Sequence, residues 1–145
     1  MKKSLKSIIL LVVTVLMCTS LAACGGLKNK DVWKEATYTT DIDFGAGDTT
    51  IKVDLLAKDK DVTFTIHTNC ETLGDALREF NLVSGEEGPY GLYVKTVNGI
   101  RADYEKDKAY WAFEKEGQTI EVGVDEVTIA DGEQYEIILV LVWLK

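Results

Sequence analysis

The chain has 145 residues, 46% of them hydrophobic, with 16 basic against 24 acidic side chains, enough for one modest domain plus whatever precedes it. Three of the basic side chains and none of the acidic ones precede residue 24, so residues 24–145 carry 13 basic against 24 acidic groups, a formal charge of −11. Such a surface repels phosphate backbones and anionic headgroups at long range, which argues against nucleic acid or a polybasic membrane patch as partner.

The chain opens with Lys2, Lys3 and Lys6 and continues as a mostly apolar run from Ile8 to Met17. A basic start, an apolar segment too short to span a bilayer comfortably and then small residues is the pattern of a secretory signal. Leu21-Ala22-Ala23-Cys24 resembles the bacterial lipobox, which implies a signal peptide over 1–23 and lipidation of Cys24 as the mature N-terminus. Cys18 then leaves with the signal and Cys70 remains as a lone thiol, so no intramolecular disulfide is expected. Residues 24–49 read as the lipidated N-terminus and a polar tether, with Val32, Trp33 and Tyr38 able to dock back as an edge segment.

The folded domain is expected over 50–145. Ile51, Val53 and Leu55 alternate with Lys52 and Asp54, and after a polar tip Val62, Phe64 and Ile66 alternate with Thr63, Thr65 and His67, the pattern of an antiparallel hairpin with one buried face. His67 falls on the polar face and has no second histidine with which to build a metal site. Leu73, Ala76, Leu77 and Phe80 recur at helical spacing behind a Thr cap. Ser84 to Pro89 reads as an exposed loop.

From Gly91 to Phe113 the pattern is strand, a turn at Asn98-Gly99, a charged loop, and a strand ending Tyr110-Trp111-Ala112-Phe113. Tyr110 and Trp111 point to opposite sides of that strand, so at least one belongs to the core, and Trp111 is the expected one. Asp103, Glu105, Asp107 and Glu114 stand at positions one, three, five and twelve of an EF-hand-like loop, but Lys108 occupies a position that needs glycine and strands flank the loop, so a solvated acidic turn is expected and no metal site. After the Asp131-Gly132 turn, Tyr135 to Leu144 is almost continuously apolar and reads as a strand in the middle of the sheet. The whole describes a small α+β domain, β-grasp-like, with one helix packed on a mostly antiparallel sheet.

Glu71-Thr72-Leu73-Gly74-Asp75-Ala76-Leu77, Tyr93-x-x-x-Val97-Asn98-Gly99, Tyr110-Trp111-Ala112-Phe113, Gly123-Val124 and Asp131-Gly132-Glu133-x-Tyr135-Glu136 together resemble the DUF4430 family, the transcobalamin-like C-terminal domain. In vitamin B12 carriers this domain closes over a cobalamin held by a larger helical domain. The resemblance implies a corrinoid as bound ligand, with Asn98, Tyr110, Trp111, Phe113, Gln118 and Ile120 as ligand-binding residues. With the lipid anchor expected at Cys24, the reading is a surface lipoprotein on the extracellular face of a bacterial cytoplasmic membrane, handing its ligand to a transporter.

The alternative is a lipid-anchored protein-interaction or adhesion module with no small-molecule ligand. Exposure of Tyr90 and Tyr93 beside a flat sheet would favour it, and a cleft walled by the hairpin from Tyr110 to Val122 would favour the vitamin. No pair of carboxylates stands out as acid and base and nothing completes a thiol triad around Cys70, so no enzyme and no catalytic residue is expected.

Overall fold

The computed structural model describes residues 26–142. The expected signal segment, Cys24 and residues 143–145 at the end of the apolar run lie outside the described residues.

Among the described residues nine strands form two sheets. The larger has the order β1-β3-β2-β9-β7-β8, built from β1 (Ile42–Gly45), β2 (Thr49–Ala57), β3 (Lys60–Thr68), β7 (Ala109–Lys115), β8 (Gln118–Thr119) and β9 (Gln134–Leu141). It is mixed, with β1 parallel to β3 and β2 parallel to β9, the other pairs being antiparallel. The smaller sheet joins β4 (Val83–Gly88), β5 (Gly91–Val97) and β6 (Ile100–Arg101), all antiparallel.

The β2–β3 hairpin pairs as its alternation requires, with Ile51, Val53, Leu55, Phe64 and Ile66 fully buried on one face. The closing apolar run supplies β9, an inner strand between β2 and β7. It is not buried on both faces, however: only alternate residues, Tyr135, Ile137 and Leu139, are buried.

The expected β-grasp-like arrangement, one helix on one sheet, is overturned. The body is mostly β, with two short helices among the described residues, α1 (Leu73–Glu79) and α2 (Tyr104–Asp107). Seven residues of α1 are about 10 Å of helix, too little to cover the inner face of six strands, and the second sheet completes the cover. That sheet escaped notice because β4 occupies the stretch read as a loop. Gly85 there lies against the Tyr93 carbonyl so closely that no side chain would fit, and the register shifts at Ser84/Gly85. Glycine and glutamate are poor strand formers, so pairing alone makes this a strand.

The expected docking of Val32, Trp33 and Tyr38 is present, and the packed segment is longer than a tether with an edge contact. From Gly26 onward it packs on the domain: Leu27, Val32 and Trp33 are buried, and a 3₁₀ turn at Val32–Glu35 is capped by Asp31. The Trp33 Nε1–H donates to the Ala57 carbonyl at 2.8 Å, and β1 adds a parallel edge strand to β3. Tyr38, Phe44, Phe64 and Phe80 then form one run of ring contacts 5.2–6.2 Å apart, tying this segment to the end of α1. The folded body therefore starts well before Thr50.

Trp33→Ala should lower unfolding stability by about 3–5 kcal/mol, the usual cost of emptying a buried tryptophan site. A chemical-denaturation midpoint unchanged by the substitution would show that the segment before β2 is a tether after all.

Candidate functional site

The two sheets meet along β5 and β7, and between them opens a groove of about 340 Å³. Leu92 and Val94 of β5 form one wall, Trp111 and Phe113 of β7 the floor, and Ile120, Val122 and Val124 the other wall. Its volume falls within the range of small-molecule sites. Tyr110 and Val122 at its rim are exposed, at 38% and 53%, whereas Trp111 is 6% exposed and its Nε1–H is buried with no hydrogen-bond partner among the described residues.

One carboxylate holds the groove together. Asp125, in the 3₁₀ turn Val124–Glu126, accepts from Arg78 Nη2 of α1 at 2.6 Å and from the Leu92 N–H of β5 at 3.0 Å. Arg78 is shared with Asp75 at 2.9 Å. Gly74 and Gly91 pack directly on the Asp125 carboxylate, where any side chain would collide with it. Burial pushes the Asp125 carboxyl up, but the Arg78 guanidinium and the Leu92 N–H outweigh burial and hold it below its ordinary range. The same pairing, led by the hydrogen bond to Asp125, raises Arg78.

The expected ligand residues divide. Tyr110, Trp111, Phe113 and Ile120 line the groove together. Gln118 does not, standing exposed on β8 at the outer edge of the sheet. Asn98 is fully buried. Its Oδ1 accepts from the Tyr38 N–H at 2.9 Å and its Nδ2 donates to the Tyr38 carbonyl at 2.8 Å, so its amide clamps the N-terminal segment and is spent. Val122 closes the hairpin expected to wall a cleft, whereas the walls contributed by Leu92, Val94, Gly123 and Val124 were missed. The only signal for them was alternation of small apolar residues, which says a face is buried and not against what.

A second hollow, about 540 Å³, is lined by Glu86, Tyr93, Lys95, Arg101, Asp103 and Tyr104 among others. Its charges answer one another: Lys95 pairs with Glu86 at 2.7 Å and lies 3.7 Å from Asp103, which Arg101 also reaches at 3.3 Å. Asp103 further caps α2 through the N–H groups of Glu105 and Lys106. The EF-hand-like spacing is thus used as a helix cap. Among the described residues no group of three or more His, Cys, Asp or Glu side chains is placed to hold a metal ion.

His67 has a role that its position on a polar face did not suggest. Its Nδ1 lies 2.8 Å from Thr50 Oγ1 and its Nε2 3.0 Å from Asp43 Oδ1, bridging β2, β3 and β1. Cys70 Sγ lies instead 3.5 Å from Glu79 Oε2.

The family described as a domain of unknown function, DUF4430, matches residues 71–138, from the start of α1 through most of β9. A solved protein from Ruminococcus gnavus ATCC 29149, described as a candidate metal-binding protein, is 31% identical, with a TM-score of 0.62 over 66% of this chain and 100% of that one. The chain belongs to the DUF4430 family. Haptocorrin, solved in complex with Cbi, shares the fold at 16% identity and a TM-score of 0.53; the match covers 69% of this DUF4430 chain and 27% of haptocorrin. No curated protein matches it.

Asp125→Asn should cost about 2 kcal/mol at pH 7, since a charge-assisted acceptor is lost from a partly buried network. A carboxyl with a depressed folded pKa contributes stability that is fully present above its unfolded pKa and is lost as pH falls through the folded value. The gap between wild type and Asp125→Asn in urea should therefore be constant from pH 7 to about 5 and narrow progressively below about pH 4. A gap of undiminished size at about pH 2.5 would mean that the charge is not what holds the network.

Proposed function

We propose that this DUF4430 protein is a surface lipoprotein, anchored through Cys24 to the extracellular face of a bacterial membrane, that binds cobalamin or a related corrinoid in the groove between β5 and β7. The observation that carries the reading is an apolar groove floored by Trp111 whose buried indole N–H has no acceptor in the described chain. A corrin is a wide, largely apolar disc fringed by amides, and it supplies both an apolar face and a rim carbonyl. The fold shared with haptocorrin, solved with Cbi, supports the same ligand class. Such a groove covers part of a disc, so a transporter or another surface protein would complete the enclosure and receive the ligand. The module acts by binding, without catalysis.

A second reading, a protein-interaction module, is favoured by Tyr90 and Tyr93, exposed at 80% and 51% beside β5. It predicts that Tyr90→Ala abolishes capture of a surface protein while the groove binds nothing.

Isothermal titration of the protein with cyanocobalamin and cobinamide should give micromolar or tighter affinity, about 8 kcal/mol. Tyr110→Ala and Val122→Ser, both at the exposed rim, should weaken it about tenfold, or about 1.4 kcal/mol each. Trp111→Phe, which keeps an aromatic floor and removes only the N–H donor, should weaken it comparably without loss of fold. No heat with either ligand at high protein concentration would overturn the corrinoid reading.

A further inference from the structure

We infer that the protein does not hang from its anchor but sits on the membrane, with one end of the larger sheet turned to the lipid headgroups and the acidic opposite end turned away. This rests on the proposed lipidation of Cys24. Packing begins by Leu27, which is buried, and the turn from Gly26 to Lys30 is fastened to the β2–β3 hairpin by Lys58 Nζ, which donates to the carbonyls of Lys28 and Lys30. Two residues of chain reach at most about 7 Å, so whatever surface surrounds Gly26 must lie at the height of the lipid.

That surface is one end of the six-stranded sheet. Gly26 faces the end of α2, where a Cβ added to it would lie 4.0 Å from the Asp107 carbonyl. Strand register puts the Lys58–Asp59 tip, the start of β7 and the end of β9 at the same end. Six lysines cluster there, Lys28, Lys30, Lys58 and Lys60 around one shallow hollow and Lys106 and Lys108 on and beside α2. Asp31, Glu35, Asp59, Asp61, Glu105 and Asp107 balance them, so this end is near neutral. Two exposed tyrosines, Tyr104 at the start of α2 and Tyr110 on β7, have ring centres 6.4 Å apart, and the Lys108 ammonium lies 5.4 Å from the Tyr104 ring. Tyrosine and lysine together are the side chains that settle at a membrane interface, ring toward the acyl boundary and ammonium toward phosphate.

The opposite end carries Asp48, Glu71, Glu116, Asp131 and Glu133 against Lys115, itself paired with Glu133. A body with a formal charge of −11 after residue 23 is repelled by an anionic surface in most orientations. Once it is covalently held there, the orientation that places the neutral, lysine-bearing end at the surface and the carboxylates farthest away has the lowest energy. The occupant of this face is therefore a lipid surface bearing anionic headgroups, and the Tyr110 end of the groove lies beside it.

The test uses the full chain, processed in bacteria and reconstituted into vesicles of phosphatidylcholine, phosphatidylglycerol and brominated lipid. In a Cys70→Ser background, single cysteines at Lys60→Cys, Lys106→Cys and Asp48→Cys carry an environment-sensitive fluorophore. The nine residues of β2 separate the two ends by about 25–30 Å, well beyond contact quenching. Labels at 60 and 106 should be quenched at least about threefold more than the label at 48, and the excess should shrink in 0.5 M salt, where screening shortens to about 4 Å. Equal quenching at the three positions overturns the docked orientation. The anchor is tested separately: Cys24→Ser should leave the membrane fraction, and its retention there would overturn the lipidation reading itself. Release of Cys24→Ser with equal quenching in the parent chain would leave the anchor standing and the docking refuted.

Discussion

The structure depends on the carboxylate of Asp125. Three elements distant in sequence converge on it: α1 through Arg78, β5 through the Leu92 N–H, and its own 3₁₀ turn. The segment carrying it is stitched to the start of α1 by backbone bonds, Leu73 N–H to the Val127 carbonyl at 2.8 Å and Ile129 N–H to the Glu71 carbonyl at 3.0 Å. Because the smaller sheet meets the larger along β5 and β7, the spacing of the groove is set from behind, by how closely β5 is drawn to Val122–Val124. A charged pair of partial burial is a good device for this, since its geometry is directional where apolar contact is not.

Asn98 performs a similar service at the other side of the smaller sheet. It adopts a left-handed conformation with φ of 51° in the Asn98-Gly99 turn, accepts the Thr37 N–H on its own carbonyl at 2.8 Å and donates its N–H to Leu82 at 2.7 Å. With its side chain closed on Tyr38, a single residue satisfies backbone groups of two other segments, Thr37–Tyr38 and Leu82. An isolated three-stranded sheet has little core of its own; fastening it to the N-terminal segment and to α1 is what allows β5 to act as a rigid wall.

How much of this was legible in the sequence can be judged residue by residue. The β2–β3 hairpin and the inner position of β9 follow from period-two alternation and a continuous apolar run, because burial of one face is a local property of the strand. The joining of Tyr110, Trp111, Phe113 and Ile120 was legible through the family resemblance. What stayed hidden depends on partners remote in the chain. Glu86 and Glu87 lie in a strand only because β5 pairs with them. Asn98 carries the signature of a turn, and nothing local says that its amide will be consumed by Tyr38, sixty residues away. Gly74 falls inside the expected helix and Gly91 at the start of an expected strand, where nothing local asks for glycine, yet both are required by the carboxylate packed on them. Leu27 sits in a polar stretch whose composition suggested a tether, and its burial had no local sign; Trp33 in the same stretch was expected to dock back, and it does so on β2 at Ala57.

The indole at position 111 separates a structural account of the groove from a functional one. A buried donor without an acceptor costs about 1–3 kcal/mol, and a floor that needed only apolar volume would be served as well by phenylalanine at no such cost. Elsewhere in the core Trp33 reaches the Ala57 carbonyl, and the hydroxyl of Tyr135, whose pKa burial raises, donates to Glu133. Among the described residues Trp111 Nε1 shares its unpartnered state only with Arg78 Nη1, whose guanidinium is otherwise paired, and Trp111 lies where the chain opens between its two sheets. An acceptor delivered from outside would satisfy it, turning a cost in the empty protein into a contact available only to a ligand that presents a carbonyl or similar oxygen at that depth. Selectivity would then arise from the one donor and from the width that Asp125 sets, with the apolar walls supplying affinity to any disc that fits.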